Sequence, residues 1–159
     1  MTNSRSLILI GAEVYNAFLA LSQLPVELAN ALGASGLSPM SIVIGILLIY
    51  LVLGCVMDSL AMILLTVPVF FPLVTGLDFG LGEEGTAIWF GILVLIVVEV
   101  GLITPPIGLN VYVINSLAEG VPLGETFKGT VPFLLSDFVR VAIILAVPAT
   151  CLWLPGLMT

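Results

Sequence analysis

Four oxygen-bearing side chains lie at two helix-breaking stretches of an otherwise apolar chain. Asp58 and Ser59 end the stretch GCVMDS, residues 54–59, and Thr104 and Asn110 lie within GLITPPIGLN, residues 101–110. Carboxylate, hydroxyl, amide and carbonyl oxygens are the ligands that hard cations prefer. The residue types therefore point to binding of a cation such as sodium.

The same two stretches interrupt the helices on which they lie. Pro105 and Pro106 remove backbone donors, each at a cost of about 3 kcal/mol in a helix interior, while Gly54, Gly101 and Gly108 permit close backbone approach. Broken backbone persists at membrane depth only inside protein or along a cavity, because unpaired polar groups are costly in hydrocarbon. There, freed carbonyls can coordinate a cation and freed N–H groups can attract an anion.

The composition places these breaks in a membrane protein. The chain has 159 residues, of which 60% are hydrophobic and 8% charged, and its mean hydropathy is +1.32, whereas soluble domains carry about 25% charged residues. Continuous apolar runs such as 42–54 and 88–98 favour helices over the alternating strands of a barrel. We expect an all-α, multi-pass integral membrane bundle with room for about five or six passes.

The remaining polar residues exclude several classes of function. The net charge is −7 with only three basic residues and no histidine, which argues against a nucleic-acid partner and excludes imidazole metal sites. Cys55 and Cys151 lie in apolar runs, so we expect free thiols rather than a disulfide. Asp137 and Arg140 are three residues apart on a predicted helix and are expected to pair.

The breaks and the polar loop divide the chain into predicted elements of one membrane domain, 1–159. Whether 54–59 joins two complete passes or forms the tip of a re-entrant hairpin stays open on the apolar runs alone. The predicted elements are a first helix with a short interfacial helix over 6–36, a hairpin-like pair over 39–76 with its tip at 54–59, a broken helix over 84–118 and a last helix over 127–155.

Two other functions compete with cation binding. Asp58 could serve an intramembrane aspartyl protease, but that chemistry needs a second carboxylate at close range. Asp78 lies in the polar loop, and Glu99, which the apolar flanks place at membrane depth, has no matching motif. The other alternative is a membrane remnant or assembly module that transports nothing. Glu83 and Glu84 are interpreted as the acidic first turn of a helix.

The residues around both breaks carry a family resemblance. GCVMDSLAMILLTVPVFFPLV, followed by VEVGLITPPIGLNVYVINSLAEGVPLGETFKGTVPFLL, closely resembles the carboxyl-terminal half of the large permease subunit of TRAP transporters, which are tripartite, ATP-independent periplasmic uptake systems for organic acids. The specific pattern is Gly-x-x-x-Asp, then Pro-x-x-x-Pro, then Gly-Leu-Ile-Thr-Pro-Pro-x-Gly-x-Asn. The resemblance extends from about Leu7 to Pro155.

The resemblance implies an elevator-type secondary transporter of the bacterial inner membrane, built from two inverted repeats that each hold a re-entrant hairpin and a broken helix. It implies sodium as the coupling ion, no other cofactor and no enzymatic activity. The implied substrate residues are Ser59, Thr104 and Asn110. The implied sodium site comprises Gly54, Asp58, Ser59, Gly101, Thr104, Pro105 and Gly108.

The resemblance also implies partners and a missing part. The family's large subunit is far longer and works with a small membrane subunit and a periplasmic substrate-binding protein. A second Gly-x-x-x-Asp or Pro-Pro element does not occur in this sequence, so we expect the chain to correspond to the second repeat, with the amino-terminal half of the subunit as its partner. Four-carbon dicarboxylates are the expected substrates, with sialic acid and other carboxylates left open.

Overall fold

The computed structural model describes residues 2–23, 26–28, 30–31, 36–118 and 120–157, and in that part of the chain every regular element is a helix, with no strand. The prediction of an all-α fold is confirmed. The interfacial helix predicted within 6–36 lies only partly inside the described residues, where 26–28 and 30–31 are helical. The helices are α1 Thr2–Ser22, α2 Pro39–Gly54, α3 Ser59–Thr75, α4 Gly82–Ile103, α5 Leu109–Leu117, α6 Leu123–Ala146 and α7 Ala149–Gly156.

Two of these helices are long and apolar enough to cross a membrane. They are α4 with 22 residues and α6 with 24 residues. Helices α2 and α3 are apolar but have only 16 and 17 residues, so at 1.5 Å per residue they extend about 24 to 26 Å, less than the thickness of about 30 Å that a hydrocarbon core presents.

The chain groups into two compact units, where the sequence predicts a single membrane domain. The first unit comprises Met1–Ile46 with Leu60–Ala87, and the second comprises Leu47–Ser59 with Ile88–Thr159. Both breaks, 55–58 and 104–108, belong to the second unit. All the predicted site residues therefore lie in one unit.

The core of the second unit is one face of α4. Trp89, Phe90, Leu93 and Val94 are buried, and the same spacing of four continues through Val97 and Val98 to the end of the helix. Residues that recur at this spacing lie on one side of an α-helix. The stripe leads directly to Gly101, so the packing of α4 also positions the second break.

The last predicted helix, 127–155, is two helices in the structure, α6 and α7. The reason is Pro148, which has no N–H group to donate to the Ile144 carbonyl. The chain leaves the helical conformation at Val147, with φ −133 and ψ 79. The Ile144 oxygen instead accepts a buried hydrogen bond of 2.9 Å from the indole nitrogen of Trp89, which joins α4 to α6.

Three local predictions are confirmed. Arg140 Nη2 lies 2.8 Å from Asp137 Oδ1 on α6. Cys55 and Cys151 are free thiols. The acidic residues predicted at a helix start lie in the first turn of α4, where carboxylates stabilise the positive end of the helix dipole.

Candidate functional site

The first break begins as a tightening of the last turn of α2. The Cys55 amide donates to the Leu51 carbonyl at 3.3 Å, and the amides of Val56 and Met57 both donate to the Leu53 carbonyl, at 3.0 and 2.8 Å. The Val56 bond reaches a carbonyl only three residues back, which tightens the end of a helix, whereas the other two bonds reach four residues back. The chain then runs non-helically to Asp58, and α3 begins at Ser59.

The second break follows from its prolines. In a continuous helix, residues 105 and 106 would donate hydrogen bonds to the carbonyls of Gly101 and Leu102. Both residues are prolines, so they have no N–H group to donate. The Gly101 carbonyl accepts instead from the Thr104 amide at 3.1 Å. The Pro105–Pro106 peptide bond is cis. Helix α4 ends at Ile103 and α5 begins at Leu109, so the predicted discontinuous helix is confirmed.

The two breaks meet through Gly54 and Gly101. A methyl group placed on Gly101 would lie 2.7 Å from the Gly54 Cα and 3.0 Å from the Leu51 carbonyl oxygen. A methyl group on Gly54 would lie 3.0 Å from the Gly101 Cα and 3.2 Å from the Val98 oxygen. The two backbones are therefore in direct contact, with no room for a side chain on either.

This contact joins two helix ends of the same polarity. Gly54 is the last residue of α2, and Gly101 lies in the last turn of α4. The carboxyl end of a helix carries roughly half a negative charge on its terminal carbonyls. Two such ends in contact create a negative, carbonyl-rich environment that favours a cation between or beside them.

Gly108 is held in place by a neighbouring helix. Its φ of 55° is left-handed, a conformation that glycine adopts without penalty. A methyl group there would lie 3.1 Å from the Phe127 Cε1 atom and 3.3 Å from the Thr104 carbonyl oxygen. Phe127 also packs edge-on against Tyr112, with ring centroids 6.2 Å apart.

A side-chain hydrogen bond reinforces this packing of α5 on α6. The Thr126 hydroxyl donates to the Asn115 Oδ1 atom at 2.6 Å. Sequence reasoning missed both Phe127 and this bond as supports of the break. Gly108 carried a signal that something approaches its backbone closely, but nothing in the pattern identified the approaching residue.

The predicted side-chain ligands differ in their surroundings. Thr104 is half-buried, and its hydroxyl donates to the Val100 carbonyl at 2.6 Å, which leaves the oxygen lone pairs available to a ligand. Ser59 is half-buried, whereas Asp58 and Asn110 are exposed. The contact that unites the breaks consists of backbone atoms, and none of them belongs to Asp58, Ser59 or Asn110.

The residue types near the breaks limit which metal ions could bind there. Within the described residues, no group of three or more His, Cys, Asp or Glu side chains could hold a metal ion. Glu99 is exposed, next to the buried Val98 and Val100. The oxygen atoms that the breaks offer are therefore chiefly those of backbone carbonyls and hydroxyls, a neutral set that suits a monovalent cation better than a divalent one.

Comparison with known proteins decides the family. The family model described as the DctM component of the tripartite ATP-independent periplasmic transporter matches residues 1–150. The chain belongs to this DctM family. The resemblance seen in the two break motifs is confirmed over nearly the whole chain.

Several relatives of this chain are named as permeases. The C4-dicarboxylate TRAP transporter large permease protein DctM of Pseudomonas aeruginosa is 34% identical over 149 residues, covering 94% of this chain and 33% of that protein. The sialic acid TRAP transporter large permease protein SiaM of Vibrio cholerae is 29% identical over 154 residues, covering 96% and 34% respectively.

A third relative is named for a different compound. The 2,3-diketo-L-gulonate TRAP transporter large permease protein YiaN of Escherichia coli is 29% identical over 150 residues, covering 92% of this chain and 33% of that protein. The chain thus spans about one third of the length of these DctM-family relatives. They are named transporter permeases, so the family is one of transporters and not of enzymes.

Proposed function

We propose that this chain is one repeat of a sodium-coupled permease that imports organic acids, and that its two breaks form the sodium site. The observation that carries the proposal is the backbone contact between Gly54 and Gly101. It brings two helix carboxyl ends together, and such ends attract cations. Family membership supports transport as the purpose of the site.

The coupling ion would be held by carbonyls and hydroxyls around this contact. Pro105 and Pro106 release the carbonyls of the last turn of α4 from helical bonding. The Thr104 hydroxyl keeps lone pairs beside them, because its hydrogen is already donated to Val100. The proposed site comprises Gly54, Asp58, Ser59, Gly101, Thr104, Pro105 and Gly108.

An anionic substrate would bind near the opposite kind of helix end. At the start of α5 the cap residue Gly108 supplies no side-chain hydrogen bond to the first turn. The amides of Val111 and Tyr112 donate to the Gly108 carbonyl, which leaves the amides of Leu109 and Asn110 for a carboxylate. Ser59, Thr104 and Asn110 complete the proposed substrate contacts.

The substrate class follows from what the relatives are named for. C4-dicarboxylate, sialic acid and 2,3-diketo-L-gulonate all carry a carboxylate group. We therefore propose organic acids as the substrates, with four-carbon dicarboxylates first. A carboxylate is the group that free N–H donors at a helix amino end recognise.

The architecture and partners follow the family. The short lengths of α2 and α3 support a re-entrant hairpin with its tip at 54–59, because neither reaches across about 30 Å of hydrocarbon. We propose an elevator-type mechanism in the bacterial inner membrane. The proposed partners are the remaining part of the large subunit, a small membrane subunit and a periplasmic substrate-binding protein.

Uptake into proteoliposomes tests the site. The large permease containing this chain is reconstituted with its small subunit and binding protein, and sodium-driven uptake of a C4-dicarboxylate is measured. We expect Asp58→Ala and Thr104→Ala each to reduce uptake by about tenfold or more. A tenfold reduction corresponds to the loss of one ligand that contributes about 1.4 kcal/mol to ion binding. Thr130→Ala is the control, because its hydroxyl donates to a carbonyl within α6.

Two results would overturn the proposal. Uptake that is unchanged in both Asp58→Ala and Thr104→Ala would show that the ion binds elsewhere. Uptake that is equally fast without a sodium gradient would reject sodium as the coupling ion.

A further inference from the structure

Helix α5, which begins at the second break, is too short to hold its own position. It has nine residues, and isolated helices shorter than about 12 residues are marginal without tertiary support. One side of it carries Val113, Ile114 and Leu117, which are all exposed. The support for α5 must therefore come from its other side.

That other side is a single stripe of four residues. Gly108, Val111, Tyr112 and Asn115 recur at spacings of three and four, so they lie on one face at the start and along the length of α5. Val111 is fully buried, Gly108 is buried and Asn115 is half-buried. This stripe is the face by which α5 is anchored to the second unit.

Two consecutive residues near the start of α6 contact the stripe at three levels. A methyl group on Gly108 would lie 3.1 Å from the Phe127 Cε1 atom. The same ring packs edge-on against Tyr112, with centroids 6.2 Å apart. One residue earlier, the Thr126 hydroxyl donates to Asn115 Oδ1 at 2.6 Å. These contacts hold α5 at its beginning, at its middle and near its end.

The uppermost of these contacts reaches the break itself. The methyl position on Gly108 that lies 3.1 Å from Phe127 also lies 3.3 Å from the Thr104 carbonyl oxygen. The ring edge and the carbonyl oxygen therefore approach the same side of Gly108. Glycine populates left-handed and right-handed backbone about equally, so the φ of 55° at Gly108 needs a neighbour that excludes the alternatives. The half-buried ring of Phe127 is that neighbour.

We propose that Phe127 is a positioning residue for the cation site at the second break, an inference that rests on the proposed function. The ring itself supplies no oxygen ligand. It acts through Gly108, by keeping the backbone of the break in one conformation beside the Thr104 carbonyl. A site that is ordered before its ligand arrives loses less conformational entropy on binding, which raises affinity without a change of ligands.

Sodium-driven uptake of a C4-dicarboxylate into proteoliposomes, measured over a range of external sodium concentrations, tests the inference. The permease that contains this chain is reconstituted with its small subunit and binding protein. We expect Phe127→Ala to raise the half-saturating sodium concentration by about three- to tenfold and to leave the maximal rate within about twofold. A merely structural role would lower the maximal rate through loss of folded permease and leave the half-saturating concentration unchanged.

Two further variants separate the ring edge from the apolar volume of the side chain. Phe127→Tyr keeps the Cε1 edge, and its half-saturating sodium concentration is expected within about twofold of that of the unaltered permease. Phe127→Leu keeps an apolar side chain and suits a helix at least as well, but it lacks the ring edge. We expect it to raise the half-saturating concentration by about two- to threefold.

The matched control is Phe133→Ala. Phe133 lies on the same helix as Phe127, and 69% of it is exposed. The substitution removes the same ring from α6 at a position away from the break, so we expect the half-saturating sodium concentration to be unchanged. An equal shift in Phe133→Ala and Phe127→Ala would overturn the positioning role.

Thr104→Ala in the same assay distinguishes failure of this inference from failure of the proposed function. If the half-saturating sodium concentration rises in Thr104→Ala but stays unchanged in Phe127→Ala, the positioning role alone is overturned. If Phe127→Ala lowers only the maximal rate, the ring stabilises the fold and does not position the site. If the half-saturating concentration is unchanged in both variants, the proposed sodium site fails and the positioning role fails with it.

Discussion

Gly101 lies against Gly54 so closely that a methyl group on Gly101 would be 2.7 Å from the Gly54 Cα. Real side-chain carbons do not approach backbone atoms to this distance. The backbone atoms concerned belong to two closely packed helices, so neither helix can shift freely to make room. A single methyl group added at this contact would therefore force the two breaks apart.

Gly101→Ala is predicted to destabilise the protein. The added methyl group must push α2 and α4 apart, and overpacking of this kind costs about 1 to 3 kcal/mol. The measurement is the free energy of unfolding of the purified chain in mixed micelles. If the helices separate at this point, the permease containing the substitution also loses sodium-driven uptake.

Gly91→Ala is the matched control on the same helix. A methyl group on Gly91 would meet no atom within 4 Å, and alanine is favoured over glycine in a helix by up to about 1 kcal/mol. We expect unchanged or slightly higher stability. Equal destabilisation by both substitutions would contradict the close contact at Gly101.

Gly108→Ala is predicted to disturb the second break for two separable reasons. The residue has a left-handed φ of 55°, which costs an alanine about 1 kcal/mol. The methyl group would also approach the Phe127 Cε1 atom to 3.1 Å. We expect a total loss of about 2 to 3 kcal/mol in the free energy of unfolding.

Gly120→Ala separates the two contributions. Gly120 has a left-handed φ of 77°, but a methyl group there would meet nothing within 4 Å. Only the conformational cost of about 1 kcal/mol applies. The difference between the two variants measures the crowding by Phe127, and a difference of zero would show that the ring moves aside freely.

Trp89→Phe is predicted to destabilise the join between α4 and α6. The substitution keeps an aromatic ring but removes the donor to the Ile144 carbonyl, which Pro148 leaves without a helical partner. An unsatisfied buried carbonyl costs about 1 to 3 kcal/mol. Trp153→Phe is the control, because Trp153 is 70% exposed, and its effect on the free energy of unfolding is expected to be small.

A double substitution tests the role assigned to Pro148. Pro148→Ala restores an N–H group that can donate to Ile144. In that background Trp89→Phe should cost clearly less than it does alone, with a coupling of about 1 kcal/mol. Additive costs of the two substitutions would mean that Trp89 contributes packing alone.

The hydrogen bond between Thr126 and Asn115 is predicted to matter more than the nearby ion pair. In a double-mutant cycle of Asn115→Ala and Thr126→Val, we expect a coupling of about 1 kcal/mol, because the bond is partly buried and joins two helices. The measurement is the free energy of unfolding of the single and double variants.

The ion pair of Lys128 and Glu125 provides the comparison. It is short, at 2.7 Å, but its side chains are 75% and 59% exposed and lie on the same helix. Exposed pairs of this kind contribute roughly 0.2 to 1 kcal/mol and weaken with salt. A coupling larger than that of Asn115 with Thr126 at moderate salt would reverse the predicted order.

Local chemistry made much of the fold predictable. Helices end near residues 54 and 103 because glycine and proline act on the backbone of their own turn, and the acidic residues at the start of α4 follow the helix dipole in the same way. The pairing of Asp137 with Arg140 depends only on helical spacing. The division of the last helix is not predicted by the apolar pattern, because the apolar run continues on both sides of Pro148.

The sequence by itself determined that the chain is apolar and helical, where its helices break, and which oxygen-bearing residues stand at the breaks. Only the tertiary structure decided that Gly54 contacts Gly101, that Phe127 packs against Gly108, and that Trp89 donates a hydrogen bond to a carbonyl 55 residues away. A break depends on the donors within its own turn, whereas the meeting of two breaks depends on the packing of whole helix faces, which local patterns do not specify.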